Sequence, residues 1–206
     1  ESKPGTELYF DGKSVQSRLE ACYDYIGEIK KAMLIKDPEN EFKSLSSWND
    51  ELNMSHYKMQ QYYQGIKVYG GQIILHGTDG MINKINGTYF PTPELTDLIP
   101  SFSEKQAIEA AVNEISQSTY YKELDDNNKA FLDYTGPESE LIIYHDSRKL
   151  ESEQLAYRIE VRPNMVQHWV AYIDAKNGSL IEKYNMTCSD GPATAQAQDL
   201  NGQSQT

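Results

Sequence analysis

The stretch HYKMQQYYQGIKVYGGQIILHGTDGMINKINGTYFP, residues 56–91, decides the fold. In residues 56–63, Tyr57, Met59, Gln61 and Tyr63 share one face and Lys58, Gln60 and Tyr62 the other. That period-two pattern with aromatics marks a half-buried strand. Gln64-Gly65 makes a tight connection into a second strand, residues 66–76, interrupted by Gly70-Gly71. A glycine pair inside a strand marks a bulge, or a place where another backbone comes close. Thr78-Asp79-Gly80 turns into a third strand, residues 81–85, and Asn86-Gly87 is a strong hairpin-turn dipeptide.

Upstream, Val15, Leu19, Cys22, Ile26, Ile29 and Met33 recur at spacings of three and four, the apolar stripe of a helix. Lys30-Lys31 suit its C-terminal dipole, and Lys36-Asp37-Pro38 breaks it. Residues 41–48 read as an edge strand and 49–53 as a turn into the sheet. Downstream, Pro91-Thr92-Pro93 and Pro100 bracket a linker. Ser103-Glu104-Lys105-Gln106 is a capping box, and its helix carries Ile108, Ala111, Val112 and Ile115 on one face. Residues 123–138 read as a polar loop and 141–144 as a strand. In residues 155–162, Leu155, Tyr157, Ile159 and Val161 point inward and Ala156, Arg158 and Glu160 outward. Strands over 168–174 and 179–184, joined by the turn Ala175-Lys176-Asn177-Gly178, complete a meander. The fold class is α+β, with two modules, each an antiparallel sheet with a helix packed on one face.

A net charge of −12 argues against nucleic acid and anionic membranes as partners, and no stretch approaches the length of a membrane span. The chain opens Glu-Ser-Lys-Pro, with no Met and no apolar leader core, as expected once a signal peptide has gone. Two cysteines, Cys22 and Cys188, are too few for a disulfide framework. The four histidines, His56, His76, His145 and His168, are scattered, and none has a partner four residues on. His56 and His76 can approach each other across paired strands, but strand-end or core histidines are the commoner case. There is no G-x-S-x-G elbow, P-loop or dinucleotide fingerprint. Tyr57, Tyr62, Tyr63, Tyr69, Tyr157, Tyr172 and Tyr184 either form a binding face or fill thin sheet-on-helix cores.

The run Q-x-Y-x-G-I-x-V-x-G-G-x-I-I-L-H followed by D-G-x-I-x-x-I-N-G resembles the fungalysin–thermolysin propeptide of secreted thermolysin-type zinc metalloproteases. The segments A-I-E-A-A, L-A-Y-R-I-E-V and W-V-A-Y-I-D-A-K-N-G-S-L-I resemble the PepSY module, which follows it in such precursors. The positions that carry the resemblance are His56, Lys58, Gln61, Tyr63, Gly65, Val68, Gly70, Gly71, His76, Gly87, Asp174 and Gly178. It implies a propeptide module over 1–95, a PepSY, cystatin-like module over 101–186, and a processing region with the start of a mature peptidase over 187–206. It also implies an intramolecular chaperone that inhibits a cognate, secreted peptidase domain until autoprocessing. A stand-alone PepSY-type binding module or a trans-acting inhibitor is the alternative. The His-Glu-x-x-His of such an enzyme is absent, so this chain is expected to have no activity or cofactor of its own. Zinc and calcium are expected in the peptidase domain. The resemblance further implies an inhibitory plug and processing region at Tyr184, Asn185, Met186, Thr187, Cys188, Ser189, Asp190 and Gly191. The Cys188 thiol has three readings: a zinc ligand, an exposed thiol, or a disulfide with Cys22.

Overall fold

The computed structural model describes residues 15–146, 153–187, 197–198 and 204–205. Helix α1 (Val15–Met33) ends where Leu34 turns left-handed, and its last turn closes through Ile35 N–H to Lys30 O. Asp37 caps the short α2 (Pro38–Glu41) by accepting from Asn40 N. Four antiparallel strands follow: β1 (Phe42–Asn49), β2 (Ser55–Tyr63), β3 (Ile66–Thr78) and β4 (Met81–Thr88). Then come α3 (Glu104–Ser116), with its capping box formed as expected, α4 (Asp126–Phe131), and strands β5 (Glu138–His145), β6 (Glu153–Val161), β7 (Trp169–Asp174) and β8 (Leu180–Asn185).

These strands form one eight-stranded mixed sheet in the order β1-β2-β3-β5-β6-β7-β8, with β4 also on β3. The expectation of two purely antiparallel sheets fails at one place, where β3 and β5 run parallel through Lys67↔Ile142 and Val68↔Ile143. β2 occupies one edge of β3; β5 and β4 divide the other between them, β5 taking residues 67–68 and β4 taking 72–78. The glycine pair lies at this change of partner. Two cores sit under the two long helices. Cys22, Ile26 and Met33 of α1 pack with Phe42, Tyr57, Met59, Ile73 and Leu75. Ala107, Ala111 and Ile115 of α3 pack with Val68, Ile143 and alternate residues of β6 and β7.

Four further readings of the sequence need correction. Asn86-Gly87 is not a turn: both residues lie in β4, paired with Ile74 and Ile73, because β4 must reach Thr88 to cover β3. The alternation of β2 fails at Gln60 and Gln61, both fully buried on either side of a register shift. Residues 123–138 hold α4, whose Asp125 cap and short polar helix carry no apolar stripe to betray them. The proline-bracketed connection is docked rather than free. Thr92 N–H bonds Leu34 O, Tyr63 Oη–H bonds Leu95 O, and Leu95, Leu98 and Phe102 lie against the α3 core.

Candidate functional site

The resemblance-bearing positions gather mainly around the glycine bulge. Gln64 and Gly65, at φ 46° and 83°, form the tight turn between β2 and β3. The β2–β3 register jumps from Tyr62↔Lys67 to Gln60↔Gln72, leaving residues 68–71 looped out opposite Gln61. Ladder carbonyls lost in the jump are recovered by side chains. The Gln60 amide nitrogen lies 2.8–2.9 Å from the carbonyl oxygens of Gln61, Val68 and Gly71, which share its two N–H groups, and the amide oxygen accepts from Gln72 Nε2 at 3.0 Å. Gln61 grips the backbone of Phe90 like a strand partner, with Nε2 to the carbonyl at 2.7 Å and Phe90 N–H to Oε1 at 2.9 Å. Gly70 has φ +78°, and a Cβ on Gly71 would come to 2.9 Å from Gln61 Cβ.

Phe90, so held, stacks on His145 at 3.9 Å with 5° between the rings. Burial pushes the His145 imidazole down to about 4, and its Nε2 has no hydrogen-bond partner. The folded value lies below the ordinary 6.5, so the unfolded chain takes the proton first. Stability from this residue is therefore complete above the unfolded value and is lost as pH falls from 6.5 toward 4. Allowing for partial exposure, the loss should be about 1–2 kcal/mol. Urea titrations at pH 7.5 and pH 5 should show it in the wild type and less of it in His145→Phe. Equal acid sensitivity in both would refute it.

His56 and His76 do meet, as cross-strand partners with Nδ1 atoms 2.7 Å apart. Only one proton fits between two such nitrogens. The outer nitrogens are taken by Asp50 Oδ2 and Asn86 Oδ1, each at 3.0 Å, and Trp48 stacks on His56. Among the described residues no group of three or more His, Cys, Asp or Glu could hold a metal ion. Lys58 stands apart from both clusters, opposite Ser46 and Ile74. Gly87 lies where β4 presses on β3, and a Cβ there would meet Gln72 O at 2.3 Å. Asp174 and Gly178 shape the β7–β8 turn. Asp174 Oδ1 accepts from the N–H groups of Lys176 and Asn177, and Gly178, at φ +76°, leaves room for the Phe102 ring.

The face of β5–β8 turned away from α3 holds what the sequence reading missed. Ala156, read as pointing outward, does lie on the face away from α3 but is fully buried there with Ile142, Tyr144, Val170 and Tyr172. Tyr69 and Tyr184 join Tyr172, with ring centroids at 5.3 and 6.2 Å. Tyr57 and Tyr157 instead fill the helix-covered cores. Glu160 holds Arg158 at 2.5 Å and His168 at 2.7 Å. Burial works against the Glu160 carboxylate, but Arg158 and His168 outweigh it and keep its pKa below the ordinary range. The signal for this face was there in the sequence, in β-branched and aromatic residues at both parities of β5 and β7.

Of the eight residues expected to form the plug, Tyr184 and Asn185 end β8, pairing with Val170 and Trp169. Met186 N–H bonds His168 O at 2.6 Å, and Thr187 Oγ1 accepts from His168 N–H and donates to Val166 O. Folded pairing thus extends past Tyr184, where the sequence reading ended it. Cys188, Ser189, Asp190 and Gly191 lie outside the described residues. Cys22 is a free thiol, fully buried and with its pKa pushed up to about 12 by that burial, which removes the disulfide reading.

Residues 40–89, which span the strand–bulge–strand unit, match the family model described as the Fungalysin/Thermolysin Propeptide Motif. The chain carries that motif, and most of its length is similar to thermolysin-type proteins. It is 27% identical over 178 residues to a bacillolysin of Brevibacillus brevis, covering 81% of this chain and 31% of that protein. It is 27% identical over 184 residues to a thermolysin of Alicyclobacillus acidocaldarius, covering 86% of this chain and 32% of that one. The chain thus spans about a third of the length of the curated relatives it matches. Among solved structures it is similar to the Bacillus megaterium YpeB C-terminal domain, with a TM-score of 0.36 and 13% identity, covering 89% of this chain and 70% of that one. No helix among the described residues is long and apolar enough to cross a membrane.

Proposed function

We propose that this chain is the propeptide of a secreted zinc metalloendopeptidase of the thermolysin type, acting as intramolecular chaperone and as inhibitor until autoprocessing. The match of residues 40–89 to the propeptide motif carries the reading. Its physical basis is kinetic. Large secreted proteases face high barriers to folding, and a partner that binds the native-like state lowers the free energy along that route. In this reading the second half is the PepSY module, zinc and calcium belong to the peptidase, and this chain does no chemistry. In this reading the plug and the processed bond fall beyond Thr187, supported by the pairing of Tyr184 and Asn185 with β7, the Met186 N–H bond to His168 O and the bonds of the Thr187 hydroxyl to Val166 and His168. A plug of this kind binds extended, as substrates do.

The gene beyond Thr206 should encode a peptidase domain containing His-Glu-x-x-His. That domain, denatured and diluted into buffer, should recover activity only when residues 1–206 are supplied in cis or in trans. The same chain in excess should inhibit the mature enzyme. Recovery of full activity without the chain would overturn the chaperone role, and a stop codon at this point would overturn the whole reading.

A further inference from the structure

We propose that Tyr120, Met165, Val166 and Met186 form the surface on which the following peptidase domain docks. The proposal rests on the propeptide reading above. In a chain with net charge −12, these four uncharged side chains come from segments joined at one end of the sheet, with exposures of 74%, 39%, 73% and 48%. They come from three separate segments: the loop that follows α3, the β6–β7 loop and the residue after β8.

The segments are fastened together. Asn164 Oδ1 accepts from Val166 N–H and Gln167 N–H at 3.0 Å, and Asn164 Nδ2 donates to Tyr120 O at 3.0 Å. Lys122 N–H bonds Pro163 O at 2.8 Å, and Thr119 Oγ1 bonds Gln167 Oε1. The loop therefore spends its polar groups inward and presents Met165 and Val166 outward in a fixed conformation. A surface ordered beforehand loses little entropy on binding. Exposed Tyr and Met are also the residue types enriched at interfaces.

Where the chain leaves identifies the occupant. Thr187 is tied to Val166 O at 3.1 Å and to His168 N–H at 2.9 Å, so the polypeptide departs from within the patch. The relatives are about three times the length of the matched segment, and in a precursor built like them the remainder is tethered at this point. A short tether holds its domain at an effective concentration on the order of millimolar. The other occupant to test is a second copy of this chain.

Two methionines serve as reporters. The purified chain is mixed with the mature peptidase encoded downstream, and inhibition and methionine oxidation by dilute peroxide are measured. Val166→Glu and the double variant Tyr120→Ser/Val166→Glu should melt like the wild type yet inhibit at least 30-fold more weakly. Complex formation should slow Met165 oxidation several-fold, while Met81, 71% exposed at the β3–β4 turn, should oxidise at an unchanged rate. Undiminished inhibition by the variants, or unprotected Met165 in an inhibited complex, overturns the surface and leaves the propeptide reading standing. A wild-type chain that neither inhibits the peptidase nor promotes its folding overturns the propeptide reading, and the surface with it. Met165 protection that appears in the chain alone as its concentration rises, and vanishes in Val166→Glu, assigns the patch to self-association and also overturns the proposal.

Discussion

Gly87→Ala should lower the stability of the fold by about 3–4 kcal/mol, although the change adds one methyl group at an exposed strand position. Gly87 lies in β4 at φ +114°, and a Cβ there would stand 2.3 Å from Gln72 O and 2.9 Å from Ile73 Cα. Both obstacles are backbone, so no side-chain rotation relieves them. The left-handed strain alone is worth about 1–3 kcal/mol, and parting β3 from β4 adds lost ladder bonds. Gly27 in α1 is the matched control, since a Cβ there would meet nothing within 4 Å. Gly27→Ala should stabilise by up to about 1 kcal/mol, as Gly-to-Ala does inside helices. Urea denaturation distinguishes the two. A Gly87→Ala midpoint within about 0.3 M of the wild type, under 1 kcal/mol at ordinary slopes, would show that β4 slides aside without cost.

Gln60→Leu should cost about 3 kcal/mol while keeping roughly the volume of the side chain. Gln60 is 1% exposed, and its amide nitrogen serves the carbonyls of Gln61, Val68 and Gly71 at the bulge. Leucine supplies no donor, and each buried carbonyl left bare costs about 1–3 kcal/mol. The amide of Gln72 loses its acceptor as well. Gly71→Val strikes the same place from the other side, by driving a branched side chain against Gln61. Both variants should lower the yield of active protease from the full precursor in parallel with their loss of stability. Wild-type stability in Gln60→Leu would mean that the three carbonyls do not depend on that amide.

Periodicity placed both long helices, the capping box at Ser103 and most strand centres, because each buries one face and leaves the other wet. It failed where burial was two-sided. Ala156 and Val170 look like ordinary strand residues, and the β-branched and aromatic residues at both parities of β5 and β7, the cue to a second buried face, do not say that tyrosines cover it. It failed again at Asn86-Gly87, whose two residues suit a turn as well as they suit a strand squeezed against its neighbour. Gln60 and Gln61 read as polar members of an alternating strand; their burial follows from a register jump opposite glycines five or more positions away in the partner strand. The His56–His76 contact needed the bulge as well as the turn: the register set at Tyr63↔Ile66 would place His56 opposite Ile73, and the jump opposite Gln61 carries it to His76. The patch around Val166 was not legible, since it joins segments more than forty positions apart through hydrogen bonds of loop residues.

The parallel pair between β3 and β5 has a consequence for how the polypeptide emerges during synthesis. Val68 lacks its neighbour on that edge until Ile143 has been made, about 75 positions later. At ribosomal speeds of 5–20 residues per second that is a wait of roughly 4–15 s. For that interval the nascent first half presents an unpaired strand edge beside the bulge, the kind of edge that pairs with whatever strand is nearest. The bond pair between Gln61 and Phe90, by contrast, lies wholly within the first half of the chain and needs nothing from β5.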